Sequence, residues 1–228
     1  MTNEIRDIVE NLVLQMNTQI IGEYDANDLK TYSCDTKWAR IGKIVKDSLN
    51  NEYLITDIAP NEWILTNDTD PLPPNLDGVV QLPVPYFISG TKLATNSEWT
   101  KATPNLLQKT PLIWLLEVIR LKGFGRQSAM ELETDLRLFF LDETNVSQYY
   151  TADHRENVVY PMEQLAMEFI NTIGRNRNFK TIEEYEMITF SRFGVERDNG
   201  VFQNILDANL SGVELRIRLE KFKENCIC

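Results

Sequence analysis

Hydrophobic and polar residues alternate between Glu131 and Leu141. Leu132, Thr134, Leu136, Leu138 and Phe140 fall on one side, and Glu133, Asp135, Arg137, Phe139 and Leu141 on the other. This two-residue period predicts a strand with one buried face, its second face turning apolar towards the end. Beyond a polar loop, Met162, Leu165, Ala166, Phe169, Ile170 and Ile173 recur at helical spacing. Pro161 suits a first helical turn and Gly174 a left-handed stop, so a helix is expected over 161–174. A long strand feeding a helix that lies back over it makes a core.

The same patterning predicts the other elements. Residues 3–16 form an amphipathic helix with Ile5, Ile8, Val9, Leu12, Val13 and Met16 as its stripe. Residues 20–36 are polar and irregular. Strands are expected at 38–45, 53–58 and 62–66, around turns at 48–51 and 59–61, as an antiparallel meander. Another short strand spans 86–92, and a polar excursion follows through Trp99 to Thr110. The apolar run 111–119, closed by Lys122-Gly-Phe-Gly125, predicts a buried strand pairing with 132–141 across the loop 123–130. Residues 181–190 and 193–195 are ambiguous, and 197–200 is a strong turn. Residues 210–220 alternate most cleanly, with Val213, Leu215, Ile217 and Leu219 inward and Glu214, Arg216, Arg218 and Glu220 outward. Such a charged outer face blunts aggregation where the strand is an edge.

Six of the nine prolines fall between Pro60 and Pro85, which argues against a helix or central strand in 67–85. Val79, Val80, Leu82 and Val84 make the segment too apolar for a solvated linker. It reads as an extended arm laid on its own domain or on a neighbouring copy. The fold class predicted is α+β: one domain over 1–228, with a mixed, mainly antiparallel sheet flanked by an N-terminal and a central helix. Residues 67–110 form a Pro-rich arm or insertion.

Charge and composition narrow the function. A net charge of −11 argues against a protein that grips nucleic acid through phosphates, though not against one that DNA slides past. No apolar run approaches the roughly 20 residues of a membrane helix. The acidic N-terminal residues do not suit a secretion signal. Three cysteines, Cys34, Cys226 and Cys228, fit a reducing compartment, and with His154 the only histidine a zinc site is not expected. Asp153 and Glu156 flank His154, but no serine or cysteine has a recognisable nucleophile context, so His154 is read as holding the loop before the helix. Glu131, Glu133 and Asp135 share one strand face, as metal-holding carboxylates do in magnesium-dependent nucleases, with Asp142 and Glu143 following. A solvated strand face is the ordinary explanation. Gly123-Phe-Gly125 lacks the rest of a phosphate loop. No catalytic residue, metal or cofactor is therefore assigned.

The order of elements resembles that of the neck proteins of tailed bacteriophages, the tail-completion or tail-terminator group of Bacteroidetes-type phages. Residues 110–117, 131–142, 159–165 and 209–217 carry the likeness, within a span of roughly half the chain. The resemblance implies a structural virion subunit, made in the host cytoplasm, that assembles with copies of itself into a ring at the head–tail junction or upper tail. Its partners would be further copies and the neighbouring portal, connector or tail-tube proteins. DNA would pass through the channel without specific binding, and no membrane is involved. From composition, Pro71, Pro73, Pro74, Val79, Leu82, Val84 and Phe124 are the expected subunit-interface residues, on the arm and the 123–130 loop. A metal-dependent nuclease using Glu133 and Asp135, or a soluble adaptor outside the virion, are the alternatives.

Overall fold

The computed structural model describes residues 5–24, 31–35, 37–66, 78–101, 109–117, 120–124, 131–144, 154–193, 195–198, 201–204, 206 and 208–221. The chain forms two compact units, residues 17–84 and residues 1–16 with 85–228, where the sequence pattern drew one domain with an arm. The class is α+β as expected, with N-terminal and central helices and mainly antiparallel sheets.

Residues 17–84 close into a six-stranded barrel. Its strands are β1 (Gln19–Tyr24), β2 (Thr31–Cys34), β3 (Ile44–Asp47), β4 (Glu52–Ala59), β5 (Glu62–Thr66) and β6 (Val79–Gln81). Around the barrel they run β1-β2-β5-β4-β3-β6. Ile20, Tyr32, Val45, Tyr53, Trp63 and Val80, one from each strand, are fully buried. Tyr32 and Trp63 stand opposite each other with ring centroids 6.0 Å apart.

Three expectations change here. The irregular stretch 20–36 contains β1 and β2. The strand expected at 38–45 begins only at Ile44, as β3, because the buried Trp38 lies in a turn and Gly42 has φ +84°. Residues 79–81 of the supposed arm form β6, bonded on both sides, to β1 and β3. These three residues contain no proline, and the flanking prolines bound the strand without entering it. Residues 67–77 lie outside the described residues. The turn after β3 is where expected: Asp47 accepts hydrogen bonds from the N–H groups of Leu49 (2.9 Å) and Asn51 (2.8 Å), and Asn50 takes φ +64°.

The other unit begins with α1 (Ile5–Leu14), whose Val9, Leu12 and Val13 are buried. Its sheet comprises β7 (Tyr86–Gly90), β8 (Leu112–Leu116), β9 (Arg120–Phe124), β10 (Glu131–Glu143), β11 (Tyr185–Phe190) and β14 (Leu210–Lys221). The order is β11-β14-β10-β8-β7, with β9 also on β10, and only β7–β8 is parallel. β10 pairs with β14 from Leu132↔Lys221 to Glu143↔Leu210. Along its other side lie β9 and then β8, as the 111–119 run predicted for β8. Lys122-Gly-Phe, expected as a turn, continues as β9 instead. β14 is internal rather than an edge.

A π-helical turn (Arg155–Val159) leads into α3 (Tyr160–Arg175). Met162, Leu165, Phe169 and Ile173 of α3 are buried over Leu136, Leu138 and Phe140 of β10 and Val213, Leu215 and Ile217 of β14. Phe140 and Phe169 meet edge to face at 5.8 Å. Burying each such side chain contributes about 1.5–3 kcal/mol. On the opposite face Phe139 stacks on Trp114 at 5.0 Å, within a cluster that includes Leu141, Phe193, Leu206 and Leu210. The second face of β10 thus becomes apolar towards its end, as its sequence indicates. The polar excursion after β7 is partly a helix, α2 (Lys92–Lys101). Trp99 and Thr95 are its buried residues, and the buried Lys109 donates to the Trp99 carbonyl at 2.7 Å. A separate hairpin pairs β12 (Val195–Asp198) with β13 (Val201–Asn204); Arg197 and Asp198 of the expected turn belong to β12, and 199–200 lie outside the described residues.

Candidate functional site

The alternation of β10 and β14 places their charged residues on one sheet face, where register decides what each one meets. Arg137 stands directly opposite Arg216, and Phe139 opposite Glu214. Two like charges facing each other across a ladder are unfavourable. Glu214 resolves this: its Oε1 accepts from Arg137 Nε at 2.5 Å and from Arg216 Nε at 2.6 Å. Its side chain is only 2% exposed. Burial pushes the Glu214 carboxyl up, but the hydrogen bonds and charges of the two arginines outweigh this and hold it below its usual range. Arg216 reaches on to Glu186 of β11 at 2.9 Å.

One column along, Arg218 Nε lies 3.2 Å from Glu133 and 3.4 Å from Asp135. These are the carboxylates a metal-dependent nuclease would use, and in the fold they face a guanidinium. Lys180 pairs with Glu220 at 2.7 Å. Among the described residues no group of three histidine, cysteine, aspartate or glutamate side chains is placed to hold a metal ion. An open groove of about 1270 Å³ runs over this ladder, between the strand residues Asp135, Arg137, Arg216 and Arg218 and the segment 179–186. The segment bulges because five chain steps, from Lys180 to Tyr185, span three steps of β14, from Glu220 to Ile217.

His154 makes no capping bond to the helix it precedes. Its Nε2 is instead 2.9 Å from Ser211 Oγ of β14. Ser211 is fully buried and donates its own proton to the Ser191 carbonyl at 2.7 Å. Its oxygen therefore accepts from Nε2–H. With its proton given to a carbonyl and no exposure, Ser211 is a strut between the α3 lead-in, β14 and the β11 exit rather than a nucleophile. Burial, and then Asp35, push the buried Cys34 thiol up to about 12, which keeps it protonated and unreactive at neutral pH.

The residues expected at a subunit interface separate. Val79 is half-buried in β6, and Leu82 is buried, its N–H donating to the Thr18 carbonyl at 2.9 Å. Val84 remains 51% exposed. Phe124 is the last residue of β9, opposite Glu131, and its side chain lies outside the described residues, as do Pro71, Pro73 and Pro74.

The exterior of the barrel carries a feature that no sequence pattern marked. Ile44 and Leu54 are register partners on β3 and β4, and both point outward, 47% and 40% exposed. Ile21 on β1 is 79% exposed and stands opposite Val79 on β6. Leu49, Ile41 and Val84 are exposed on the same unit. The one legible signal was the Ile20-Ile21 doublet, since alternation in a strand must turn one of the two outward. No protein-family model matches the chain, and no curated protein matches it significantly.

Proposed function

We propose that this chain is a structural subunit that associates with copies of itself, and that the assembly is a ring at the head–tail junction or upper tail of a tailed phage. The observation that supports association is the aliphatic exterior of the barrel, centred on the Ile44–Leu54 pair. Scattered apolar residues on a surface are ordinary, but a cross-strand aliphatic pair with both members facing solvent is apolar area that association would cover. The placement in a virion rests on the resemblance carried by residues 110–117, 131–142, 159–165 and 209–217. The net charge of −11 is compatible with a channel that repels the DNA backbone and lets it pass. Neighbouring portal, connector or tail-tube proteins are the partners this reading requires.

Electron microscopy of the purified chain, alone and mixed with the products of adjacent genes, tests the reading. Closed rings with a central opening are expected. The double variant Ile44→Lys, Leu54→Lys should abolish them while leaving the circular dichroism spectrum unchanged. Isolated particles of single-chain size in every mixture would sink the proposal.

A further inference from the structure

The hairpin β12–β13 pairs within itself and, among the described residues, with neither larger sheet. Two antiparallel strands by themselves are marginal in water. This hairpin is nevertheless rooted at both ends. Phe193 before it and Leu206 after it are buried in the aromatic cluster, and Phe193 N–H donates to the Leu210 carbonyl at 2.7 Å. Its base is fixed to the sheet while its strands pair only with each other.

A second observation supplies what such a hairpin lacks. β11 ends its sheet, and its register shows which of its main-chain groups are used. Glu220 and Leu210 of β14 accept from Lys180 and Phe193, so the even-numbered residues of β14 turn their N–H and C=O groups towards β11. Their partners are Glu186, Ile188 and Phe190, opposite Arg216, Glu214 and Gly212. Tyr185, Met187 and Thr189 therefore turn theirs to the outside, where no strand lies among the described residues. At the other end of the sheet, β7 has α1 and α2 packed beside it, β9 is a further edge bonded to β10 alone, and the barrel is closed. β11 is also open on its flank, with Tyr185 and Glu186 exposed along the groove and Thr189 exposed further along the strand.

We propose that the β12–β13 hairpin of one copy adds as a strand to the outer edge of β11 in a second copy. The inference rests on the self-association proposed above and names the contact. Strand addition satisfies the outward N–H and C=O groups of β11 and gives the hairpin a third strand. Donor and acceptor are different elements, so each copy uses both. The contact is head-to-tail, the type that closes into a ring when its rotation allows. A strand from a different protein is the competing occupant.

The test uses the full chain in a Cys226→Ser, Cys228→Ser background, leaving the buried Cys34. Thr189→Pro removes one outward N–H and spares the bonds to β14, a placement that edge strands tolerate. Its expected effect is a fall from the wild-type oligomer to the 26.4 kDa single chain with an unchanged circular dichroism spectrum. Independently, a Thr189→Cys chain is mixed with a Glu196→Cys or a Gln203→Cys chain and oxidised. A disulfide-linked band at twice the chain mass, absent when either chain is oxidised alone, is the expected result. A wild-type oligomer that survives Thr189→Pro and gives no such band overturns the hairpin contact and leaves self-association standing. A wild-type protein that stays at the single-chain mass overturns both.

Discussion

In the unit of residues 17–84, six strands close on themselves, so every strand has two neighbours, and the outside carries Ile21, Ile44 and Leu54. In the other unit the sheet has edges at β7, β9 and β11, and the exposed half of its outer face carries Asp135, Arg137, Arg216 and Arg218. The first unit uses its main-chain hydrogen bonds internally and leaves apolar side chains exposed. The second leaves main-chain groups at an edge and covers its exposed face with paired charges. Under the self-association proposed above, the difference corresponds to two routes by which one chain would meet its copies. One is driven by apolar area, which is non-directional, and the other by strand pairing, which fixes orientation.

The largest effect that would break this comparison concerns how closely the open sheet's two long strands approach. A Cβ at Gly212, where φ is +152°, would stand 2.0 Å from the Phe140 carbonyl oxygen. Gly212→Ala forces β14 off β10 where both carry the core, and should cost about 4 kcal/mol in urea unfolding. A loss under 1 kcal/mol would mean the strands part easily there. Next is the buried carboxylate. Glu214→Gln leaves Arg137 and Arg216 facing each other without an anion between them, and should cost about 2–3 kcal/mol. Adding Arg137→Gln should recover part of that loss in a double-mutant cycle. Additive losses would separate the two residues energetically.

The barrel's counterpart is smaller. Asp47 accepts from Leu49, Asn51 and the Tyr53 hydroxyl at the β3–β4 turn. Burial raises its pKa, and these hydrogen bonds outweigh that and lower it overall. The same partnership and burial push the Tyr53 hydroxyl up to about 12, burial first. Asp47→Asn should cost about 1–2 kcal/mol. Both Asp47 and Glu214 have folded pKa values below their unfolded ones, so each contributes stability that is fully present above the unfolded value, about 3.9 for Asp and 4.3 for Glu. That contribution is lost as pH falls through the folded values. Urea midpoints measured from pH 6 down to pH 3 should decline for the wild type, and less steeply for the Asp47→Asn, Glu214→Gln double variant. Equal slopes would remove both groups from the account. The smallest effect on stability, within about 0.5 kcal/mol, belongs to Ile44→Lys with Leu54→Lys, whose consequence is for association.

What could be read from sequence follows the length of each pattern. β10 and β14 alternate over a dozen residues, and α3 repeats its stripe over four turns, so their types and buried faces were legible. β1 and β2 each offer only a few core positions, such as Ile20 and Tyr32, and the adjacent exposed Ile21 breaks the alternation. β6 was hidden because prolines on both sides mask a three-residue strand. α2 buries only Thr95 and Trp99, too little for a stripe. The charge ladder was half visible: alternation placed Glu214 outward, but its burial depends on Arg137 and Phe139 of the partner strand. That register is a tertiary fact.

The most direct measurement is the mass of the purified chain by light scattering over a hundredfold range of concentration. Self-association predicts a defined multiple of 26.4 kDa that persists on dilution and collapses to one chain in the Ile44→Lys, Leu54→Lys variant. A mass of one chain at every concentration would contradict the account.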